Sequence, residues 1–99
     1  MMNILLVCAA GASTGILVKK MLKFLEGTDR AHWRIEAHPV NMLDKMEKEF
    51  DVVLLGPQIA YQLDHVKKQT EKPVDVINAI DYGMGRAENV INQAIKLTE

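Results

Sequence analysis

The one thiol in this chain is Cys8, and the residues around it suggest what it could do. It ends the apolar run Ile4–Val7 and is followed by Ala9, Ala10, Gly11, Ala12, Ser13, Thr14 and Gly15. Small side chains and glycines let successive backbone N–H groups turn inward around an anion, and the positive end of a helix starting after them adds to the field. That field also favours the thiolate, which makes a cysteine at such a place nucleophilic. A phosphoryl group on the sulfur would find the same N–H groups, with the Ser13 and Thr14 hydroxyls as further donors. Against this stands the plain reading of a small buried residue at a strand end, since free cysteine is among the most buried residue types. The all-small loop favours the reactive reading.

Several chemistries are disfavoured by what the loop lacks. It has no Gly-Lys-Ser/Thr ending of a nucleotide-binding P-loop and no Gly-x-Gly-x-x-Gly, so neither a nucleoside triphosphate nor a nicotinamide cofactor is expected. A cysteine-dependent phosphatase or arsenate reductase would need an arginine to clamp the oxyanion and an acid for the leaving group. Residues 9–15 contain no arginine. Such a loop would hold a phosphoryl group better than it would hydrolyse one. A resolving cysteine for redox cycling is absent from the sequence.

The elements that must position Cys8 alternate regularly. Ile4–Val7 reads as a strand buried on both faces, and Leu17, Met21, Phe24 and Leu25 recur at helical spacing over residues 13–26. Gly27-Thr28-Asp29 ends that helix, and residues 33–38 alternate as a second strand. Asn41 is placed to cap a helix over residues 42–50, and DVVLL at residues 51–55 is a third strand. Pro57 suits the first turn of another helix, with Ile59, Leu63 and Val66 on one side. Residues 74–77 form a fourth strand, residues 78–85 a loop, and residues 87–97 a last helix striped by Val90, Ile91, Ala94 and Ile95. The order β-α-β-α-β-α-β-α predicts an α/β fold with a four-stranded parallel sheet and helices on both faces. Ligands in such sheets sit beyond the carboxyl ends of the strands, where Cys8, Gly56-Pro57-Gln58 and the 78–85 loop all fall.

Composition sets the outer limits. The 99 residues are 48% hydrophobic, 25% charged and 5% aromatic, which suits one domain spanning residues 1–99. Twelve Lys and Arg against thirteen Asp and Glu give a formal charge of −1, so no nucleic-acid partner is indicated. A single cysteine gives no reason for an oxidising compartment. The start MMNILLVCAA lacks the basic flank and the length of a secretory signal, and no apolar run approaches the roughly 20 residues of a membrane span. A soluble cytoplasmic protein that is not itself membrane-inserted is expected.

Taken together, the strand ending in Cys8 with Gly11, Ser13 and Thr14, the segment DVVLLGPQIAY at residues 51–61, KPVDVI at residues 72–77 and Tyr82-Gly83 resemble one family across nearly the whole chain. It is the IIB component of the lactose/cellobiose/chitobiose class of bacterial sugar phosphotransferase systems. The resemblance implies a sheet similar to that of low-molecular-weight tyrosine phosphatases, and a phosphocysteine at Cys8. It implies that Cys8 takes its phosphoryl group from a phosphohistidine on a IIA component and passes it to a sugar, a β-linked disaccharide, held by a membrane IIC permease. No cofactor and no metal are implied. Two positions depart from the family pattern: Ala9 stands where relatives usually have serine, and Ala12 where a larger apolar residue is common. The expected effect of Ala9 is weaker stabilisation of the phosphoryl group, because backbone donors remain.

Gln58 and Tyr82 lie on loops expected to flank the site; capping for Gln58 and packing for Tyr82 are equally open. His32, His38 and His65 have no ligand-like spacing and read as structural or surface residues, His38 alone falling at a strand's carboxyl end. Lys19, Lys20 and Lys23 read as a solvated helix face that an acidic partner could use, and Met21, Met42 and Met46 as core. Two other functions stay in competition with the carrier: a small phosphatase or arsenate reductase, and a regulatory module switched by phosphorylation.

Overall fold

Each strand of this chain is followed by helix, and the sheet they build is wholly parallel. In the computed structural model, which describes residues 2–9 and 14–99, the order is β1 (Asn3–Cys8), α1 (Thr14–Leu25), β2 (Arg34–Pro39), α2 (Leu43–Met46), β3 (Val52–Leu55), α3 (Leu63–Gln69), β4 (Val74–Val76), α4 (Ala79–Gly83) and α5 (Ala87–Leu97). Short 3₁₀ turns flank α2 and precede α3. The spatial order is β2-β1-β3-β4, so the α/β fold with a four-stranded parallel sheet is as the alternation predicts.

The two strands with unbroken apolar runs take the centre. Ile4–Val7 and Val52–Leu55 are 0% exposed, and they pair with each other in register from Ile4↔Val52 to Val7↔Leu55. Successive side chains of a strand point to opposite faces. Ile4, Leu6, Val52 and Leu54 therefore pack against α1 and α5, while Leu5, Val7, Val53 and Leu55 meet Leu43, Phe50, Ile59 and Val66 on the other side. Full burial of each such side chain contributes about 1.5–3 kcal/mol. The chain leaves β1 toward β2 through α1 and returns past β1 to β3 through α2. With crossovers of one hand, that reversal puts α1 and α2 on opposite faces and makes the end of β1 the switch point of the sheet.

Three elements differ from expectation. The second strand is displaced by one residue, running from Arg34 to Pro39; a proline without an N–H is tolerated because β2 is an edge strand and Pro39 its last residue. The helix expected over residues 42–50 is broken into a 3₁₀ turn at Val40–Met42, the four-residue α2 and another 3₁₀ turn at Glu47–Glu49. Asn41 lies inside the first turn, and no side chain caps any of the three. This segment must run from the carboxyl end of β2 back to the amino end of β3, and 3₁₀ turns advance farther per residue than α-helix. Leu43 and Phe50 still reach the core, each 1% exposed. Finally, the 78–85 loop contains α4, whose start is capped by Asn78: its Oδ1 accepts from the N–H of Ile80 at 2.9 Å and of Asp81 at 3.1 Å.

Candidate functional site

Cys8 sits half-buried at the end of the central strand β1, opposite Pro39 of β2. Its S–H points to the backbone carbonyl of His38 at 3.7 Å, a weak contact that leaves the sulfur at the sheet's carboxyl edge. Two further strand ends converge there. The N–H of Gly56, just after β3, donates to the Val7 carbonyl at 2.9 Å, and the N–H of Ile77, just after β4, donates to the Leu55 carbonyl at 2.8 Å. Sheet hydrogen bonding thus continues past the ends of β3 and β4 and fixes both loops at the same edge as Cys8, the Gly56 loop directly against β1.

The small residues after Cys8 divide in their placement. Ala9 is half-buried and packs on the cluster that holds Val7 and Leu55, so its methyl belongs to the core side of the chain. Ala10, Gly11, Ala12 and Ser13 lie outside the described residues. Thr14 opens α1 and is 0% exposed, its Oγ1 3.1 Å from the Tyr82 hydroxyl. The Thr14 hydroxyl, expected to be a donor to an anion, is in contact with the Tyr82 hydroxyl, and either of the two can donate to the other. Gly15 is exposed in the first turn of α1, with open space where a Cβ would stand.

Of the two flanking residues, Gln58 does not cap: the 3₁₀ turn it belongs to starts at Gly56 without a side-chain cap bond. Its amide folds back over Gly56 instead. A Cβ on Gly56 would stand 2.9 Å from Gln58 Oε1 and 3.7 Å from the Val7 carbonyl, so the absence of a side chain at Gly56 makes room for Gln58 beside the end of β1. Tyr82, half-buried on α4, packs against the cluster of α1 and α5 and also bonds Thr14. Packing and proximity to the site are both true of it.

His32 and His65 are exposed, while His38 pairs its Nε2 with Glu36 Oε1 at 2.9 Å. Glu36 is also bonded to Arg34, which pairs with Glu49 and lies over the Phe50 ring at 4.7 Å. The Arg34 guanidinium, and then His38, hold the Glu36 carboxyl below the ordinary carboxylate range. This polar row along β2, ending at the site, carried no motif in the sequence; only the alternation of Arg34, Glu36 and His38 on one strand face could have revealed it. Asn78 was likewise missed, although an Asn before Ala-Ile-Asp is an N-cap signal. Among the described residues no group of three or more His, Cys, Asp or Glu is arranged to hold a metal ion, and no helix is long and apolar enough to cross a membrane.

A family model for the lactose/cellobiose-specific IIB subunit of the phosphotransferase system (PTS) matches residues 3–93. The chain belongs to this family. This IIB chain is 39% identical to the PTS system cellobiose-specific EIIB component of Lactococcus lactis subsp. lactis, over 95% of its own length and 94% of the relative's. It is equally, 39%, identical to a galactose-specific EIIB component of Lactococcus lactis subsp. cremoris, with the same coverage. An oligo-beta-mannoside-specific EIIB component of Bacillus subtilis is 31% identical over 98% of this chain and 96% of that one. The solution structure of a cellobiose-specific phosphotransferase IIB component from Borrelia burgdorferi superposes with a TM-score of 0.80 at 38% identity, covering 98% of this chain and 91% of that chain. A lactose-specific IIB domain from Streptococcus pneumoniae, with a TM-score of 0.79 at 12% identity over 94% of this chain and 96% of that one, shares the fold. The IIB chain is a phosphotransferase component of a sugar-transport system, with a four-stranded parallel sheet similar to that of low-molecular-weight tyrosine phosphatases.

Proposed function

We propose that residues 1–99 act as a single cytoplasmic phosphoryl carrier in which Cys8 is the phosphorylated residue. One observation carries this reading: the chain's sole thiol stands half-buried at the switch point of a parallel sheet, at the end of the strand that leads toward the N-terminus of α1. The Cys8 thiolate attacks the phosphorus of a phosphohistidine on the IIA component; the S–P bond forms as the P–N bond breaks, and imidazole leaves. A hydroxyl of the sugar held by the IIC permease then attacks the same phosphorus in line. The O–P bond forms as the S–P bond breaks, the hydroxyl proton passes to solvent, and the thiolate returns. Neither step calls for a metal or cofactor.

Backbone N–H groups of Ala9, Ala10, Gly11, Ala12, Ser13, Thr14 and Gly15 hold the phosphoryl oxygens in this reading, helped by the N-terminal field of α1. With no arginine in the loop, charge neutralisation is incomplete, and the group is kept for transfer rather than lost to water. Gln58 and Tyr82 flank the phosphoryl group from the loops after β3 and on α4. The β-linked sugars in two relatives' names, cellobiose and oligo-beta-mannoside, support a β-linked disaccharide as the acceptor. Incubation with phosphoenolpyruvate, the general phosphotransferase proteins and a cognate IIA should add one phosphate by intact-mass spectrometry. Cys8→Ser should add none. No addition to the wild type, with a donor proven competent, refutes the carrier.

A further inference from the structure

The seam between α1 and the α4–α5 corner carries a groove that nothing above has used. Its first part is a pocket of about 130 Å³ between Ile16, Leu17, Gly85 and Tyr82, whose hydroxyl contacts Thr14, and its second a wider one of about 490 Å³ between Lys23, Phe24, Arg86 and Glu88. Lys20 lines both parts, its ammonium laid over Gly85. Gly85 has φ +64°, and the bare backbone there leaves the space the lysine occupies. Apolar side chains stand open along this path: Ile16 is 61% exposed and Phe24 47%, with Met84 at 63% beside the corner. Among the described lining residues of the wider part, Lys20, Lys23 and Arg86 face one carboxylate, Glu88.

Helix stability does not account for Arg86. Lys23 is in the last turn of α1, where a helix favours a positive charge, but Arg86 stands at the N-terminal boundary of α5, where the helix field disfavours one. Its contact with Asp81 is long, 3.8 Å, and its own side chain is 48% exposed, an arrangement that contributes little. A local excess of positive charge on a chain of net charge −1, lying over exposed aliphatic and aromatic surface, is the character of a protein-docking rim.

We infer that this groove docks the phosphohistidine-bearing donor protein, through an apolar ridge flanked by carboxylates on the donor. The inference rests on the carrier reading of Cys8. The permease is the poorer occupant, because the cytoplasmic loops of membrane proteins carry an excess of Lys and Arg and would be repelled here. A second copy of this chain is also disfavoured, since a two-fold contact would set one basic groove against another.

The test measures the rate of Cys8 phosphorylation against donor concentration by intact-mass spectrometry. The pair K23E and R86E should raise the half-saturating donor concentration about tenfold or more, flatten its salt dependence and leave the plateau rate within about twofold, as for rim charges that govern encounter. Phe24→Ala, which keeps every charge, should raise it about fivefold. The pair K67E and K68E on α3, tested alongside with melting curves for all variants, should leave it unchanged. A change below about twofold in folded K23E/R86E, a fall in plateau rate alone, or a defect confined to sugar phosphorylation through the permease overturns the donor groove. Wild type that takes no phosphate at any donor concentration instead overturns the carrier reading beneath it.

Discussion

Removing the Tyr82 hydroxyl tests the link between α4 and the first turn of α1. Thr14 is 0% exposed and its Oγ1 has Tyr82 Oη at 3.1 Å, slightly long for a hydroxyl pair. A bond of that length contributes in the lower part of the usual range, about 0.5–1 kcal/mol net. The larger effect of Tyr82→Phe comes from Thr14, whose buried hydroxyl loses this partner at a desolvation cost of about 1–3 kcal/mol. The cost of stranding Thr14 already includes the lost bond, so the expected destabilisation is about 1–3 kcal/mol, with a Tm lower by about 4–8 °C per kcal/mol for a domain of this size. Thr14→Val is nearly isosteric and removes the buried hydroxyl itself along with its contact to the half-buried Tyr82, so it should cost less, about 0.5–1 kcal/mol. In the double variant both hydroxyls are gone and the cost should fall short of the sum by about 0.5–1 kcal/mol. Urea denaturation of the four proteins measures that coupling. A Tyr82→Phe protein as stable as the wild type, or a double variant whose cost is additive within about 0.3 kcal/mol, refutes the argument.

Two further outcomes follow from geometry already described. Gly56→Ala is compatible with the backbone there (φ −60°, ψ 147°), so stability should hold or rise by about 0.4–1 kcal/mol, while the Gln58 amide is pushed off its place. If Gln58 serves phosphoryl transfer, that stable variant and Gln58→Ala should lose rate alike in the transfer assay; unequal losses separate Gln58 from the effect. Glu36, held below its ordinary pKa by Arg34 and His38, should stabilise the fold above about pH 4.5 and lose that contribution as pH falls through its folded pKa. The stability gap between wild type and Glu36→Gln should therefore be widest near neutrality and close in acid; a gap that widens in acid contradicts the assignment.

What the sequence reveals of this molecule is mostly what burial dictates. Ile4–Val7 and Val52–Leu55 are unbroken apolar runs, and a parallel sheet buries them on both faces, so the two central strands and the position of Cys8 could be read directly. The stripes of α1 and α5 were legible too, except that Phe24, read with Leu17, Met21 and Leu25, turns outward and is 47% exposed. The segment between β2 and β3 was not, because Leu43 and Phe50 lie at a helix-like spacing while the distance to be crossed selects 3₁₀ turns. Nor was α4: five residues carry too little periodicity to register, and its start depends on the Asn78 cap. At the site, residue type marked Thr14 and Gln58 as polar groups near the loop. Which way each turned depended on partners distant in sequence, Tyr82 in one case and the bare backbone of Gly56 in the other.

The central placement of β1 divides the surroundings of the thiol into a stiff half and a soft one. Its strand is hydrogen-bonded on both sides and fully buried from Ile4 to Val7, so amide exchange there should require global opening. The facing α4 is a single short turn of helix, capped by Asn78 and tied through Asp81 to Asn89 of α5 and through Tyr82 to Thr14, with Ile80 and Met84 outward. Substitutions can accumulate on that outer face without moving the sulfur. Within a family whose members are named for different sugars, such a division lets that outer surface diversify while the atom at the end of β1 stays in place.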